Sequence, residues 1–293
     1  MSFAELACVF PCGETELVGV LALPHEPTGS VGVLVIVGGP QYRVGSHRQF
    51  LQLSRRLAAA GVPVMRFDYR GMGDAGGETI DFEHTVPDIE AATEAFMRAA
   101  PSVRHLVLWG LCDGASAAAM YLPQDSRIAG VALLNPWVRT LASQERAEVT
   151  HYYARRFRDP AFWRKLVRGG VAVGPAIADF AAKAWRMMKS RTSPLEQTAL
   201  SAAAPADFRE RMSVALAAFQ GRSLVMLSGR DLVAAEFRDY LRQTSLLRAW
   251  SEDPRTTMLD FPQADHTFSS REQKRAVEDA ILSWLADLEE TLR

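Results

Sequence analysis

Short apolar runs alternate with amphipathic stretches of helical spacing along most of this chain. Residues 31–37 are almost all aliphatic, as expected for a strand that is covered on both faces. Residues 47–60 instead carry their apolar side chains at helical spacing, and Gly61 follows them where a helix would end. This alternation predicts an α/β fold with a largely parallel sheet and helices on both faces.

The same pattern predicts the other elements of the fold. Further strands are predicted at residues 6–10, 17–23, 62–67, 104–109, 128–134, 223–228 and 256–261. Further helices are predicted at residues 88–100, 115–121, 234–250 and 272–292. Between residues 138 and 219 the chain is helix-prone and has no convincing strand. We therefore predict an α/β core at residues 1–137 and 220–293, with a helical cap at residues 138–219 inserted after the sixth strand.

The charge balance excludes some classes of partner. The 293 residues include 33 Lys and Arg against 34 Asp and Glu, a net charge of −1, so we expect no nucleic-acid partner. Residues 139–191 are an exception, because they contain 12 basic and 4 acidic residues. This basic stretch is either a solvated helical face or a surface that recruits an anionic substrate, such as an acyl group carried on coenzyme A or on an acyl carrier protein.

The three cysteines indicate no metal and no disulfide framework. Cys8, Cys12 and Cys112 have no metal-ligand spacing with any pair of histidines, and their number is odd. We predict no metal and no cofactor, and we assign no function to Cys8 and Cys12, which fall in or beside a predicted edge strand. The first ten residues lack the features of a secretory signal, and no run approaches the ~18 apolar residues of a membrane helix. A soluble, cytoplasmic protein is therefore expected.

Candidate chemistry is concentrated in the pentapeptide from Gly110 to Gly114, which reads Gly-Leu-Cys-Asp-Gly. It joins a predicted strand to a predicted helix and matches the nucleophile elbow Gly-x-Ser-x-Gly, with cysteine in place of serine. Glycine at both flanks lets neighbouring chain pass close to a central residue with a strained backbone. The helix dipole favours a thiolate at this position. A small buried cysteine is the alternative interpretation, but the position between strand and helix favours Cys112 as a nucleophile.

Such a nucleophile requires an orienting acid and a histidine, which follow it in that order along the chain. His266 follows the last predicted strand and is the only histidine after His151. Asp231 follows the preceding strand and can accept a hydrogen bond from the imidazole. A loop histidine satisfied by Asp265 and a helix N-cap are the structural alternatives for these two residues. The end of the sixth predicted strand carries Asn135 instead of an acid.

An oxyanion hole requires backbone N–H groups directed at the developing negative charge. Asp113, the residue after the nucleophile, is expected to supply one of them. The second should come from the loop after residues 31–37, where Pro40 has no N–H, so that Gly39 or Gln41 must donate. Of these two we favour Gln41. The glycine-rich loop at residues 68–74 lacks the third glycine of a dinucleotide-binding motif, so we expect it to be structural.

Several stretches resemble one known group of enzymes. Residues 38–43, 67–74, 109–115, 159–166 and 264–269 are similar to the exosortase A system-associated hydrolases of type 1, within the α/β-hydrolase superfamily. The resemblance implies an eight-stranded sheet with a helical cap, and a Cys-His-Asp triad of Cys112, His266 and Asp231. It also implies gene neighbours concerned with exopolysaccharide or secreted-protein sorting. The cysteine departs from the serine of most of the superfamily, which argues against ordinary ester hydrolysis.

The predicted function is acyl transfer through a thioester on Cys112. A thiolate attacks activated acyl groups readily, and the thioester that forms reacts with amines and thiols and can pass its acyl group to alcohols or water. An esterase or thioesterase in the broad sense is the first hypothesis. A biosynthetic acyltransferase or condensing enzyme using the same acyl-Cys112 state is the second, and a non-catalytic scaffold that binds a carrier protein is the third. The intact order of Cys112, Asp231 and His266 argues against the scaffold.

Overall fold

An eight-stranded sheet forms the centre of the computed structural model, which describes residues 2–39, 41–139 and 207–293. The strands are β1 (Phe3–Cys12), β2 (Thr15–Pro24), β3 (Val31–Ile36), β4 (Val64–Phe67), β5 (His105–Leu111), β6 (Ile128–Leu134), β7 (Arg222–Ser228) and β8 (Thr256–Phe261). The described helices are α1 (Gln49–Ala59), α2 (Val86–Ala99), α3 (Asp113–Tyr121), α4 (Phe208–Ala218), α5 (Leu232–Gln243), α6 (Ser245–Glu252) and α7 (Arg271–Thr291).

The strand order in the sheet is β1-β2-β4-β3-β5-β6-β7-β8. β2 pairs antiparallel with both β1 and β4, and all the other neighbours are parallel. Helices connect successive parallel strands as crossovers, as α1 does between β3 and β4 and α3 does between β5 and β6. The predicted α/β fold with a largely parallel sheet is therefore confirmed.

The register of the parallel strands aligns the ends from which the candidate site residues follow. Ile36 of β3 lies opposite Gly110 of β5, which in turn lies opposite Leu133 of β6. Ser228 and Phe261, the last residues of β7 and β8, also lie opposite each other. Because the carboxyl ends of parallel strands share one edge of the sheet, the segments that follow these strands meet at that edge.

Continuous apolar runs and one-sided helices explain the core. Every residue of β3 and β4 is buried. This matches their sequences, since β3 is an unbroken apolar run and β4 is apolar apart from Arg66. α1 buries Phe50, Leu53 and Leu57 along one face. Burial of each such side chain stabilises the fold by roughly 1.5–3 kcal/mol. Gly61 lies two residues after the last residue of α1 and has a positive φ of 91°. This is the conformation expected of a glycine that follows the end of a helix, as its position predicts.

The helix predicted at residues 234–250 is in fact two helices, α5 and α6. Thr244 separates them with an extended backbone at φ −102° and ψ 112°. The break allows α6 to turn its own apolar residues, Leu247 and Trp250, into the core. Periodicity alone missed this break, because both helices are amphipathic and no glycine or proline lies between them.

β1 is longer than the predicted strand at residues 6–10. All of its residues pair with β2, because Gly13 at φ 60° permits a tight turn between the two strands. β1 lies at the edge of the sheet, so the expected placement of Cys8 and Cys12 in or beside an edge strand is confirmed.

The α/β unit of the structure reaches further than the predicted core at residues 1–137 and 220–293. Residues up to Val138 and from Phe208 onward form one compact unit, so the α/β unit resumes at Phe208 and not at residue 220. α4 buries Phe208, Met212 and Leu216 in the same core as the sheet. A crossover helix is required here because β6 and β7 are parallel neighbours. Residues 140–206, the rest of the predicted cap, lie outside the described residues.

Candidate active site

A strained turn between β5 and α3 carries Cys112. Its backbone lies at φ 61° and ψ −127°, a conformation that costs a non-glycine residue of order 1–3 kcal/mol. A Cβ atom on Gly110 would lie 2.4 Å from the carbonyl oxygen of Gly114, and one on Gly114 would lie 2.6 Å from that of Ile36. Both flanking glycines are therefore required by close backbone approach. The arrangement is the strand-turn-helix geometry that the pentapeptide predicts, and the Cys112 side chain is partly exposed.

Asp231 and His266 meet across the ends of β7 and β8. His266 Nδ1 lies 2.9 Å from Asp231 Oδ2, and the aspartate side chain is only 8% exposed. A carboxylate can only accept, so Nδ1 carries the proton and Nε2 is left to exchange a proton with another group. Asp231 also caps α5, since its oxygens accept the N–H groups of Val233 at 3.2 Å and Ala234 at 3.0 Å. The N-cap and the histidine partner are therefore one and the same residue.

The electrostatics of His266 connect these two residues to Cys112. Hydrogen bonds to Asp231 and then to Cys112 raise the pKa of His266 to about 10, although burial opposes the shift. The imidazole therefore binds its second proton more tightly than a free histidine does. Hydrogen bonding to His266 likewise lowers the pKa of Asp231, even though burial, the largest influence on that carboxyl, acts to raise it. The structure thus brings together the three predicted residues, Cys112, Asp231 and His266.

A buried amide that the sequence interpretation did not assign holds the histidine loop. Asn135, fully buried after β6, donates from Nδ2 to Ser228 Oγ and to the carbonyl oxygen of His266, both at 2.9 Å. Its Oδ1 accepts the N–H of Ser228 at 2.8 Å, and Ser228 Oγ donates to the carbonyl oxygen of Asp265 at 2.8 Å. Asn135 therefore joins the ends of β6 and β7 to the backbone of the loop that carries the imidazole.

Replacement of Asn135 by glycine is expected to destabilise the protein by about 2–4 kcal/mol, because buried partners on Ser228 and His266 lose their hydrogen bonds. Asn135 has φ 44°, so glycine removes the amide without adding backbone strain, whereas Asn135→Ala should cost slightly more. Urea unfolding measures the loss. Substitutions of surface residues usually change the free energy of unfolding by no more than about 0.5 kcal/mol. A change as small as this in Asn135→Gly would show that the loop does not depend on the amide.

Gly39 and Gln41, the two residues left open as the second donor of the oxyanion hole, both direct their N–H groups at other groups of the protein. The Gln41 N–H is already used in a tight turn, because it donates to the carbonyl oxygen of Gly39 at 2.7 Å. The Gly39 N–H instead points at the carboxylate of Asp113. The Gln41 N–H thus turns back into its own loop, whereas the Gly39 N–H faces the elbow, and the choice of Gln41 over Gly39 stays a prediction.

The carboxylate of Asp113 lies on the backbone N–H groups that surround Cys112. Its Oδ1 accepts the N–H of Gly114 at 3.0 Å, and its oxygens also face the N–H groups of Gly39 and of Asp113 itself. Burial raises the pKa of the Asp113 carboxyl, while these N–H groups and the nearby His266 act to lower it. An anion of the protein thus lies where backbone donors converge.

The loop that contains Gly39 is anchored to the glycine-rich loop after β4. Asp68 is fully buried and accepts the N–H of Arg43 at 2.7 Å and that of Asp74 at 3.1 Å, and it also pairs with the Arg43 guanidinium. Arg70 pairs with the buried Asp88 of α2 at 2.8 Å. These contacts agree with the structural role expected for residues 68–74, since they hold the loops below the site in place.

Within the part of the chain that the structure describes, no cluster of three or more His, Cys, Asp or Glu side chains could hold a metal ion. In the same ranges, no helix combines the length and the apolar character that crossing a membrane requires.

The fold and site together define an α/β-hydrolase: a mostly parallel eight-stranded sheet, an elbow after β5, an acid after β7 and a histidine after β8. The family model described as serine aminopeptidase, S33, matches residues 31–234, and the chain belongs to this family. The family name refers to a serine, whereas this chain has Cys112 at the centre of its elbow. A comparison with curated proteins finds no match.

Solved structures show the same fold at low sequence identity. An esterase of Pyrococcus furiosus, Pf2001, has a TM-score of 0.64 at 14% identity, over 98% of this chain and 92% of that one. Est1E of Butyrivibrio proteoclasticus, solved with ferulic acid, has a TM-score of 0.60 at 13% identity, over 96% and 99%. A dienelactone hydrolase of Anabaena variabilis has a TM-score of 0.60 at 15% identity, over 98% and 99%. These likenesses support the fold.

Proposed function

We propose that this α/β-hydrolase is a cysteine-dependent acyl-transfer enzyme that acts on esters or thioesters. The observation that carries the proposal is the hydrogen bond of 2.9 Å between His266 and Asp231, together with the influence of the neighbouring Cys112 on the pKa of His266. A histidine paired with a carboxylate can take the proton of a neighbouring cysteine, and a thiolate on a partly exposed elbow is a nucleophile for activated acyl groups. In this assignment Cys112 is the nucleophile, His266 the acid and base, and Asp231 the residue that orients the imidazole.

The proposed reaction has two half-reactions. The Cys112 thiolate attacks the acyl carbon, and the oxygen that becomes negative is held by the backbone N–H groups of Asp113 and Gly39. The C–S bond forms, the bond to the leaving group breaks, and His266 gives that group its proton. The neutral imidazole then takes a proton from water or from another acceptor as it attacks the thioester, and the thiolate and imidazolium are restored.

Hydrolysis and transfer differ only in the acceptor of the second half-reaction. Water gives an esterase or thioesterase, whereas an alcohol or amine gives the alternative, a biosynthetic acyltransferase or condensing enzyme. The resemblance to the exosortase A system-associated hydrolases of type 1 supports a cysteine enzyme whose gene neighbours concern exopolysaccharide or secreted-protein sorting.

A pre-steady-state measurement with p-nitrophenyl esters tests the proposal. We expect a burst of p-nitrophenol close to one per chain, because acylation of Cys112 precedes slower release of the acyl group. If the enzyme is a transferase, added amines or alcohols should increase the steady rate and take up the acyl group. A wild-type enzyme with neither burst nor turnover on esters and thioesters would contradict the proposal.

Replacement of Asp113 by asparagine is expected to increase kcat/KM for a p-nitrophenyl ester about 3- to 10-fold. The acyl oxygen must displace the Asp113 carboxylate from the Gly39 N–H, and a neutral amide is a weaker acceptor than a charged one. Steady-state kinetics of the two proteins measure the change. A decrease of tenfold or more would show that the carboxylate assists the reaction by holding the Gly39 loop.

A further inference from the structure

A groove of about 720 Å³ runs between α1 and the first turns of α7. Arg271, Lys274, Arg275 and Glu278 are spaced i, i+3, i+4 and i+7, so they share one face of α7. The opposite wall has the same spacing on α1, with Gln52 and the arginines Arg55 and Arg56. One face of α1 and one face of α7 therefore present five basic side chains to the same groove.

This concentration of positive charge contrasts with the rest of the described chain. Outside residues 140–206, which hold 11 basic and 5 acidic residues, the chain has 22 Lys and Arg against 29 Asp and Glu, a net charge of −7. A random distribution of these charges would leave a typical groove acidic or neutral. The α1/α7 groove is instead lined by five cations and one carboxylate.

The cations divide into a paired wall and an unpaired wall. Arg55 of α1 pairs with Glu5 at 2.6 Å, and Arg56 pairs with Asp279 and, at 3.5 Å, with Glu278. On α7, Lys274 Nζ donates to the carbonyl oxygen of His47 at 3.2 Å and forms no ion pair with a described residue, although it acts on the nearby Glu278 carboxylate through its charge. The other two cations on the α7 wall are Arg271 and Arg275. Their guanidinium groups form no ion pair with any residue that the structure describes.

The groove borders the loops that carry the candidate active site. Ser269 lines the groove and follows His266 by three residues, so their Cα atoms lie within about 11 Å of each other, the reach of that length of extended chain. The loop between them is held in shape by Asp265, which accepts the N–H of Ser269 at 3.0 Å. The contact of Lys274 with His47 joins the groove to the segment between β3 and α1. The groove therefore lies beside the loop that carries His266, the residue that Cys112 influences.

We propose that the α1/α7 groove binds the phosphate groups of an acyl-thioester donor whose pantetheine arm extends to Cys112. The inference rests on the proposed function, because it assigns the donor class of that reaction. Phosphate oxygens accept several charge-assisted hydrogen bonds at once, and arginine side chains that have no protein partner are well suited to bind them. The start of α7 adds the positive end of its dipole at the same place. Coenzyme A and a phosphopantetheine arm on a carrier protein share this chemistry.

Calorimetric binding of coenzyme A and of pantetheine, which lacks the phosphates, tests the site without knowledge of the acyl group. The variant is Arg271→Gln, Lys274→Gln and Arg275→Gln combined. The control has the same change of net charge at cations outside the groove: Arg222→Gln, Arg242→Gln and Arg248→Gln. We expect coenzyme A to bind wild type and the control equally, and the groove variant to bind it about tenfold or more weakly, with greater losses at low than at high salt. Pantetheine should bind all three proteins equally weakly.

Three results would overturn the proposal. These are no binding of either coenzyme A or a holo acyl carrier protein to wild type, equal binding of coenzyme A and pantetheine, or unchanged binding in the groove variant with an unchanged unfolding temperature. Holo- and apo-forms of an acyl carrier protein form a second arm, and preference for the holo-form with no binding of free coenzyme A would assign the site to the carried arm. The p-nitrophenol burst of the groove variant separates this proposal from the proposed function, because it depends on Cys112 and needs no phosphate.

Discussion

Replacement of Cys112 by alanine is expected to lower turnover of any ester or thioester substrate by about ten-thousand-fold or more, because no other group on the elbow can form the covalent intermediate. The fold should be unaffected, since alanine keeps the Cβ atom and removes only a partly exposed sulfur. Steady-state kinetics and the unfolding temperature of the same preparation measure the two effects. Labelling by iodoacetamide at the elbow should disappear together with activity.

Cys8→Ala is the matched control for this experiment. Cys8 is also a free, partly buried cysteine, but it lies on β1, and burial, its largest influence, raises the pKa of its thiol. The control should retain full turnover and full elbow labelling. If Cys112→Ala keeps more than a few per cent of wild-type turnover, Cys112 is not the nucleophile and the proposed mechanism is wrong.

Replacement of Asp231 by asparagine is expected to lower kcat about 10³- to 10⁴-fold, because the amide no longer fixes the imidazole tautomer or stabilises its charge. Asparagine is as good a helix N-cap as aspartate, so the cap of α5 should survive the change. Asp260→Asn is a suitable control, since it changes another carboxylate close to the end of β8 that pairs with Arg238 on the surface. That control should be active.

The difference in unfolding free energy between wild type and Asp231→Asn is also expected to depend on pH. In wild type the pKa of His266 is raised from 6.5 to about 10, so its contribution to stability is fully present below pH 6.5 and is lost as the pH rises towards 10. The pKa of Asp231 is lowered from 3.8, so its contribution is present above that value and is lost at lower pH. The free energy of unfolding of wild type should therefore exceed that of Asp231→Asn by the largest amount between pH 4 and 6.5. A difference in unfolding free energy that does not change up to pH 10 would contradict the ion pair.

The three central site residues could be predicted because the fold orders them along the chain. Parallel strands place their carboxyl ends at one edge, so residues 112, 231 and 266, each just after a strand, meet there whatever the sequence between them. The same reasoning explains the sheet, whose buried strands are short continuous apolar runs. A local sequence pattern was sufficient to predict a feature when that feature depended on one strand and the residues directly after it.

The features that sequence interpretation missed depend on contacts between distant segments. Asn135 bonds to Ser228 and His266, which are 93 and 131 residues away, and no local pattern reports such a contact. The Gln41 N–H turns back to the carbonyl oxygen of Gly39, and the Gly39 N–H faces the Asp113 carboxylate of the elbow, and neither contact has a local sequence signal. α4 was placed in the cap because its role as the crossover before β7 follows from strand pairing, which the sequence does not display.

Intact-mass spectrometry of wild type and Cys112→Ala after exposure to a panel of acyl thioesters and p-nitrophenyl esters tests the central claim most directly. We expect wild type alone to gain the mass of one acyl group, and peptide mapping to locate that group on Cys112. The adduct should disappear on addition of an amine or alcohol if the enzyme is a transferase, and in water alone if it is a hydrolase. Equal labelling of both proteins, or an acyl group found on another residue, would contradict a cysteine-centred acyl-transfer mechanism.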